Sequence, residues 1–195
     1  MKPLMIHTVH DCAEPVASTL RATQSSLGFI PNLFGVLAES APALAAFAAL
    51  NNQFARTSFS PTERELIALT VSADNHCSYC VAGHSAFAAM QAVDEGVVQA
   101  LRDGQPIPDP RLESLRRFTL SLLRSRGMVS STEIKQFLNA GYTQQQLLEV
   151  ILGITVKVMS NLTNNAIRIP LDEVFAPYAW QAPRIPMPTI QPKAA

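Results

Sequence analysis

Residues 63–84 read ERELIALTVSADNHCSYCVAGH. Just before them stand Ser60, Pro61 and Thr62, and Ser60 with Glu63 forms a capping-box pattern with proline at the first helical position. The stretch then runs without glycine or proline to Asp74 and Asn75, residue types that favour turns and helix caps. The spacing predicts one helix ending near residue 74, a tight turn, and a second helix beginning near Cys77. A helical hairpin is therefore the centre around which the remainder must pack.

Proline placement extends this reading outward. The chain has fourteen prolines, none of them in residues 62–105 or 111–169, and proline is the residue a helix interior tolerates least. Further capping signatures stand at Ser130 to Glu133 and Thr143 to Gln146, while Gly28, Gly104 and Gly127 suit helix ends. Leu112, Leu115, Phe118 and Leu122 recur at spacings of three and four, the stripe of an amphipathic helix. Alternating strand patterns are scarce, so the fold class is all-α. GQPIPDP at 104–110 reads as a stiff connector, and residues 183–195 read as a Pro-rich tail behind a single helical domain over 1–182. A shift of 81 residues lays Thr62 on Thr143 and Cys80 on Asn161, which suggests a degenerate repeat of about 60–100 in 141–181 with a second hairpin.

Composition excludes several functions. Fifteen basic and fifteen acidic residues give no net charge, so no nucleic-acid partner is expected. Only 15% of residues are charged and 48% are hydrophobic, which points to a homo-oligomer that covers apolar surface. The first residues show no secretory pattern, and the longest uninterrupted apolar stretch, 41–50, is half of what a membrane span needs. A cytoplasmic protein with no membrane association is expected. Its three cysteines then argue for chemistry rather than for a structural disulfide framework.

Cys77, Cys80 and His84 stand at i, i+3 and i+7, so a helix puts all three on one face. At a helix N-terminus the unsatisfied N–H groups and the dipole favour thiolate. His84 lies one turn beyond Cys80 and is closer in register to it than to Cys77, which assigns Cys80 as the attacking thiolate and Cys77 as the resolving partner. Residues 65 and 84 are symmetric about the turn, so Glu65 faces His84, fixes its tautomer and completes a Glu65, His84, Cys80 relay. Glu63 points away and serves as a cap. Gly83 permits close approach of a neighbour or substrate, and Tyr79 and Phe87 are candidates to line an apolar approach for a hydroperoxide. Asn161, Asn164 and Asn165 receive no assignment.

Glu65, eleven residues, Cys77-Ser-Tyr-Cys80, three residues and His84 resemble the redox signature of the AhpD-like alkylhydroperoxidases, within the carboxymuconolactone decarboxylase superfamily. LGFIPNLF at 27–34, SPTERELIAL at 60–69 and LLEVILGITVKVMSNLTNNAIRIPLDEVF at 147–175 are similar to the flanking segments of that family. The resemblance implies an all-helical bundle forming homo-oligomers and a thiol-dependent peroxidase with an antioxidant role. Its partners would be a hydroperoxide substrate and an external dithiol or redox-protein donor, with no bound cofactor and no metal. It also gives the attack to Cys80. One departure is Tyr79, where the alkylhydroperoxidase D proteins carry histidine; His76 is a candidate to compensate.

Other readings stay open. One is a disulfide-shuttle reductase serving another peroxidase. A second is a non-catalytic redox or zinc-responsive binding protein, its fourth ligand drawn from His76, Glu65 or Cys12. A third is lactone decarboxylation by acid-base chemistry, as in the superfamily's other branch, which gives the paired cysteines no role. Cys12 reads as a plain small side chain, and His7 and His10 as solvated.

Overall fold

The computed structural model describes residues 5–182, so the Pro-rich tail over 183–195 lies outside the described residues. Within them the chain is all-α, as expected, with nine α-helices and one short 3-10 helix among the described residues and no strand. The hairpin is its middle. Helix α4 (Pro61–Asp74) opens with the Ser60/Glu63 capping box, and α5 (Ser78–Met90) begins one residue after Cys77. Between them the chain reverses through Asn75 and a left-handed His76 at φ 53°, with the Cys77 N–H donating to Ser72 O at 2.9 Å.

α4 is buried nearly all round, as a helix must be when other elements enclose it. It packs against α5, against α6 (Glu95–Arg102), against α7 (Pro110–Arg124) and against α9 (Gln144–Ile167). The stripe read from the sequence is the buried side of α7: Leu115, Phe118 and Leu122 are core residues and Leu112 packs against them. α7 continues the core to α8 (Ser131–Asn139) through stacked Phe118, Phe137 and Tyr142 rings, with centroids 4.2 and 4.6 Å apart. Glu63, beyond its cap, pairs with Arg111 at 2.6 Å, and Arg111 lies over the Tyr142 ring, so the start of α4 is tied to α7. At the N-terminal side α1 (Val16–Leu27) and α2 (Asn32–Leu37) lie against α3 (Ala41–Ala55). All three capping boxes form, and Gly28, Gly104 and Gly127 adopt positive φ at or just after helix ends.

One expectation is corrected. Residues 144–167 form one continuous helix, so the second hairpin expected of a repeat is absent there. The reason is local: the first copy turns at Asp74 and Asn75, whereas the matching residues, Thr155 and Val156, are not turn formers and Val156 is buried in the core. By length and composition alone α9 is long and apolar enough to cross a membrane. In the fold α3, α4, α5 and α7 pack on it, and Leu148, Ile151 and Leu162 remain exposed on its outer side.

α3 and α9 approach closely at Gly153, where a Cβ would come within 2.6 Å of the Phe54 ring and 2.8 Å of Ile67 Cγ2. Gly153→Ala gains about 1 kcal/mol of helix propensity, but overpacking a core site of this kind costs about 1–3 kcal/mol. A lower urea midpoint is expected. An unchanged or raised midpoint would show that the α3–α9 contact yields.

Candidate active site

The site is assembled where α4, α5 and α9 meet. Cys77 is the N-cap of α5, its sulfur accepting from the Cys80 N–H at 3.3 Å, and both sulfurs therefore sit in the first turn of that helix. The two cysteines form a disulfide with Cα atoms 5.3 Å apart. The backbone already holds them at bonding distance, because positions three apart on a helix are neighbours. Both are buried, but only Cys80 lines the cavity of about 450 Å³ that opens beside the hairpin. Tyr79, Phe87, Glu65 and His84 line the same cavity.

Glu65 meets His84 as the symmetry about the turn requires, with Oε2 at 2.8 Å from Nδ1. Gln91 Nε2 donates to the other carboxylate oxygen at 2.9 Å, so Glu65 is held at both oxygens. The other ring nitrogen does not reach the sulfur. Nε2 of His84 is 2.7 Å from Nζ of Lys157, a residue of α9 that is only 4% exposed. One arrangement satisfies all three groups: the neutral imidazole donates from Nδ1 to Glu65 and accepts at Nε2 from Lys157. Burial pushes His84 below its ordinary value, the Lys157 charge adds to that, and Glu65 opposes both. Burial likewise pushes Lys157 down to about 7, with Glu65 opposing. The relay read from the sequence is thus present in its first link, Glu65 to His84, and its second link runs to Lys157.

Cys80 has other neighbours on α9. Asn164 Nδ2 donates to its sulfur at 3.5 Å and Ser160 Oγ lies 4.0 Å from it. Lys157, Ser160 and Asn164 are i, i+3 and i+7, so one face of α9 supplies the ammonium, the hydroxyl and the amide. The unassigned asparagines also hold the hairpin in place. Asn75 Nδ2 donates to Asn161 Oδ1 at 2.9 Å, Asn165 Nδ2 donates to Asn75 O at 2.8 Å, and Asn161 Nδ2 donates to Ser72 Oγ at 3.3 Å.

A 3-10 helix, Glu173–Tyr178, closes the site from the C-terminal side. Its Phe175 ring stands edge-on to Phe29, Tyr79 and Phe87. The same ring rests on Gly83, where a Cβ would come within 3.2 Å of it, so the close approach expected at this glycine is made by Phe175.

Residues 41–116 match the carboxymuconolactone decarboxylase family, a span that holds Glu65, both paired cysteines and His84. No curated protein sequence matches the chain. Its fold is AhpD-like, as solved structures show. A peroxidase-related protein from Ralstonia eutropha JMP134, described as an alkylhydroperoxidase AhpD core, superposes with a TM-score of 0.79 at 22% identity, over 90% of this chain and 96% of that one. A peroxidase-related protein from Silicibacter sp. TM1040 gives 0.74 at 21% identity, over 90% and 96%. The debrominase Bmp8 in its apo form gives 0.72 at 18% identity, over 90% and 95%. At these identities the likeness establishes the fold.

Against the AhpD-like pattern, the structure settles the place of the departing residue. The Tyr79 hydroxyl donates to Asp172 Oδ2 and accepts from the Leu33 N–H at 3.3 Å, and burial followed by the Asp172 contact pushes its pKa up. Tyr79 is a clasp between α5, α2 and the C-terminal segment, with no proton to exchange near neutrality. His76 does not compensate, since it is exposed in the turn and lines a separate cleft with Arg102 and Trp180. Of the fourth ligands considered for zinc, Glu65 lies against His84, whereas His76 and Cys12 lie elsewhere. Cys12 lies with His7 and Asp11 instead, and the ammonium against His84 Nε2 opposes a dication there. His7 is corrected from solvated to half-buried, its Nε2 bonded to Glu39 at 2.7 Å.

The sequence reading missed Lys157, and no local signal could have found it, because its partner is 73 residues away. Its burial has a measurable consequence. The unfolded chain keeps Lys157 protonated up to about its ordinary value of 10.5, the fold only up to about 7, so in that window the unfolded state binds more protons and stability rises with pH. Below pH 7 the full penalty applies. Lys157→Met is expected to stabilise the protein by about 2–4 kcal/mol at pH 7 and by much less at pH 10. Denaturant unfolding at the two pH values checks this, and a stability difference independent of pH contradicts it.

Proposed function

We propose that the protein is a thiol oxidoreductase that reduces hydroperoxides through Cys80 and Cys77, with an external dithiol as electron donor. The observation that carries this reading is that Cys80, and not its partner, faces the cavity into which the Glu65, His84 and Lys157 chain also opens. A small apolar molecule reaching that cavity meets one sulfur and a set of groups able to hold a proton.

The reduced pair starts the cycle. The Cys80 thiolate attacks a peroxide oxygen, an S–O bond forms as the O–O bond breaks, and the alkoxide leaves and takes a proton to become the alcohol. Cys77, as thiolate, then attacks the sulfenic sulfur; the disulfide forms and the hydroxide leaves as water. Two thiol–disulfide exchanges with the external dithiol return both thiols and oxidise the donor. Helix α5 assists at the first step, because its N-terminal dipole and the Asn164 amide both favour negative charge on Cys80. The paired cysteines are idle in a decarboxylation, whereas each has a step here. The cytoplasm, which keeps thiols reduced, suits such a cycle.

Peroxide consumption with a dithiol donor tests the reading. Cys80→Ser is expected to abolish it, and His84→Gln to slow it by about 100-fold. Cys77→Ser is expected to stop after one turnover with a sulfenic acid trapped on Cys80. Reduced wild-type protein that consumes no hydroperoxide while both thiols remain accessible contradicts the proposal, and label on Cys77 alone reverses the assignment.

A further inference from the structure

Proton traffic at Cys80 needs a carrier, and the geometry of His84 excludes the simplest one. Its Nδ1 is engaged by Glu65 at 2.8 Å and its Nε2 by Lys157 at 2.7 Å, so neither nitrogen is left for a sulfur. Lys157 is placed differently. It is on the face of α9 whose next two turns supply Ser160 and Asn164 to the Cys80 sulfur, and it lines the same cavity as Cys80. Its hydrogen-bond partner is an imidazole rather than a carboxylate, so its charge is balanced only at one remove, by Glu65.

We infer that Lys157 is the proton-exchange partner of Cys80, with Glu65 and His84 acting behind it as positioning residues. The inference rests on Cys80 being the reactive thiol of the proposed cycle. In the reduced state the thiol proton passes to the Lys157 amine, leaving a thiolate beside an ammonium; after attack, the ammonium returns that proton to the departing alkoxide. No atom or electron beyond the thiol and the hydroperoxide is required. Burial, which holds this lysine near 7, allows it to take and release a proton under neutral conditions. The other charged groups facing the cavity are few. Arg64 lines it from α4 but donates to Phe59 O, and Glu65 and His84 form the chain itself; Asp172, engaged by Tyr79, does not line it, and the cavity faces of α1 and α3 supply uncharged residues.

The test separates charge from proton transfer. Peptide-resolved alkylation of Cys80 by iodoacetamide is followed against pH in the Cys77→Ser protein, alone and with Lys157→Met or Lys157→Arg. Lys157→Met is expected to raise the alkylation midpoint by at least one pH unit, read as about tenfold slower reaction at pH 7. Lys157→Arg is expected to keep the low midpoint, since the charge remains. In the protein with both cysteines intact, Lys157→Arg is nevertheless expected to lose at least tenfold in hydroperoxide turnover, because guanidinium does not release its proton. An unmoved midpoint in Lys157→Met overturns the inference, and so does full turnover in Lys157→Arg. If the wild-type protein consumes no hydroperoxide, the peroxidase reading fails, while the alkylation midpoints still decide the role of Lys157.

Discussion

The chain Glu65, His84, Lys157 is the interaction on which the rest depends. Three ionisable side chains from three different helices meet in a region the bundle encloses, and each is tolerable there only because the next one satisfies it. Removing the carboxylate would leave an imidazole and an ammonium without a counter-charge; removing the imidazole would strand a buried lysine. The packing of α4, α5 and α9 is therefore not free to slide. A lysine at 4% exposure makes the fold less stable than an apolar side chain there would, and its retention is understandable where the site needs a cation that can lose its charge.

Much of the remaining architecture can be read as support for that register. The hairpin turn is held to α9 by Asn75, Asn161 and Asn165, and to α7 by Arg124 on Asp74 at 2.6 Å. Asp172 gathers the Tyr79 hydroxyl and the Asn32 N–H, so the start of α2 and the C-terminal segment are fixed to the helix that carries the cysteines. Arg102 donates to Ser85 Oγ and to Tyr178 O, binding the same segment to α6. The consequence for chemistry is that the sulfurs are buried on every side except the cavity. A reagent reaches Cys80 first, through an approach lined by Tyr79, Phe87 and Phe175.

How much of this was legible in the sequence follows the range of each interaction. The hairpin, its caps and the α7 stripe are local patterns, and each lies where the residues placed it. Glu65 opposite His84 was also readable, because two helices joined by a short turn bring symmetric positions together whatever else the chain does. The expected step from His84 to Cys80 was an extrapolation along one helix face, and it left out α9. Lys157 stands in a helix whose other residues read as core or interface, and its register against α5 is set by packing that no local pattern reports. The second hairpin failed for the same reason in reverse: a shift of 81 residues matched side chains but not the turn on which a hairpin depends.

The most direct measurement is the nitrogen-15 resonance pair of the His84 ring, followed from pH 6 to pH 8 in the reduced and oxidised protein. The account predicts a ring that stays neutral below the ordinary histidine value, with a protonated Nδ1 toward Glu65 and an unprotonated, hydrogen-bonded Nε2 whose shift moves as Lys157 titrates near 7. A ring that titrates to imidazolium at the ordinary histidine value, or that carries its proton on Nε2, would contradict the account.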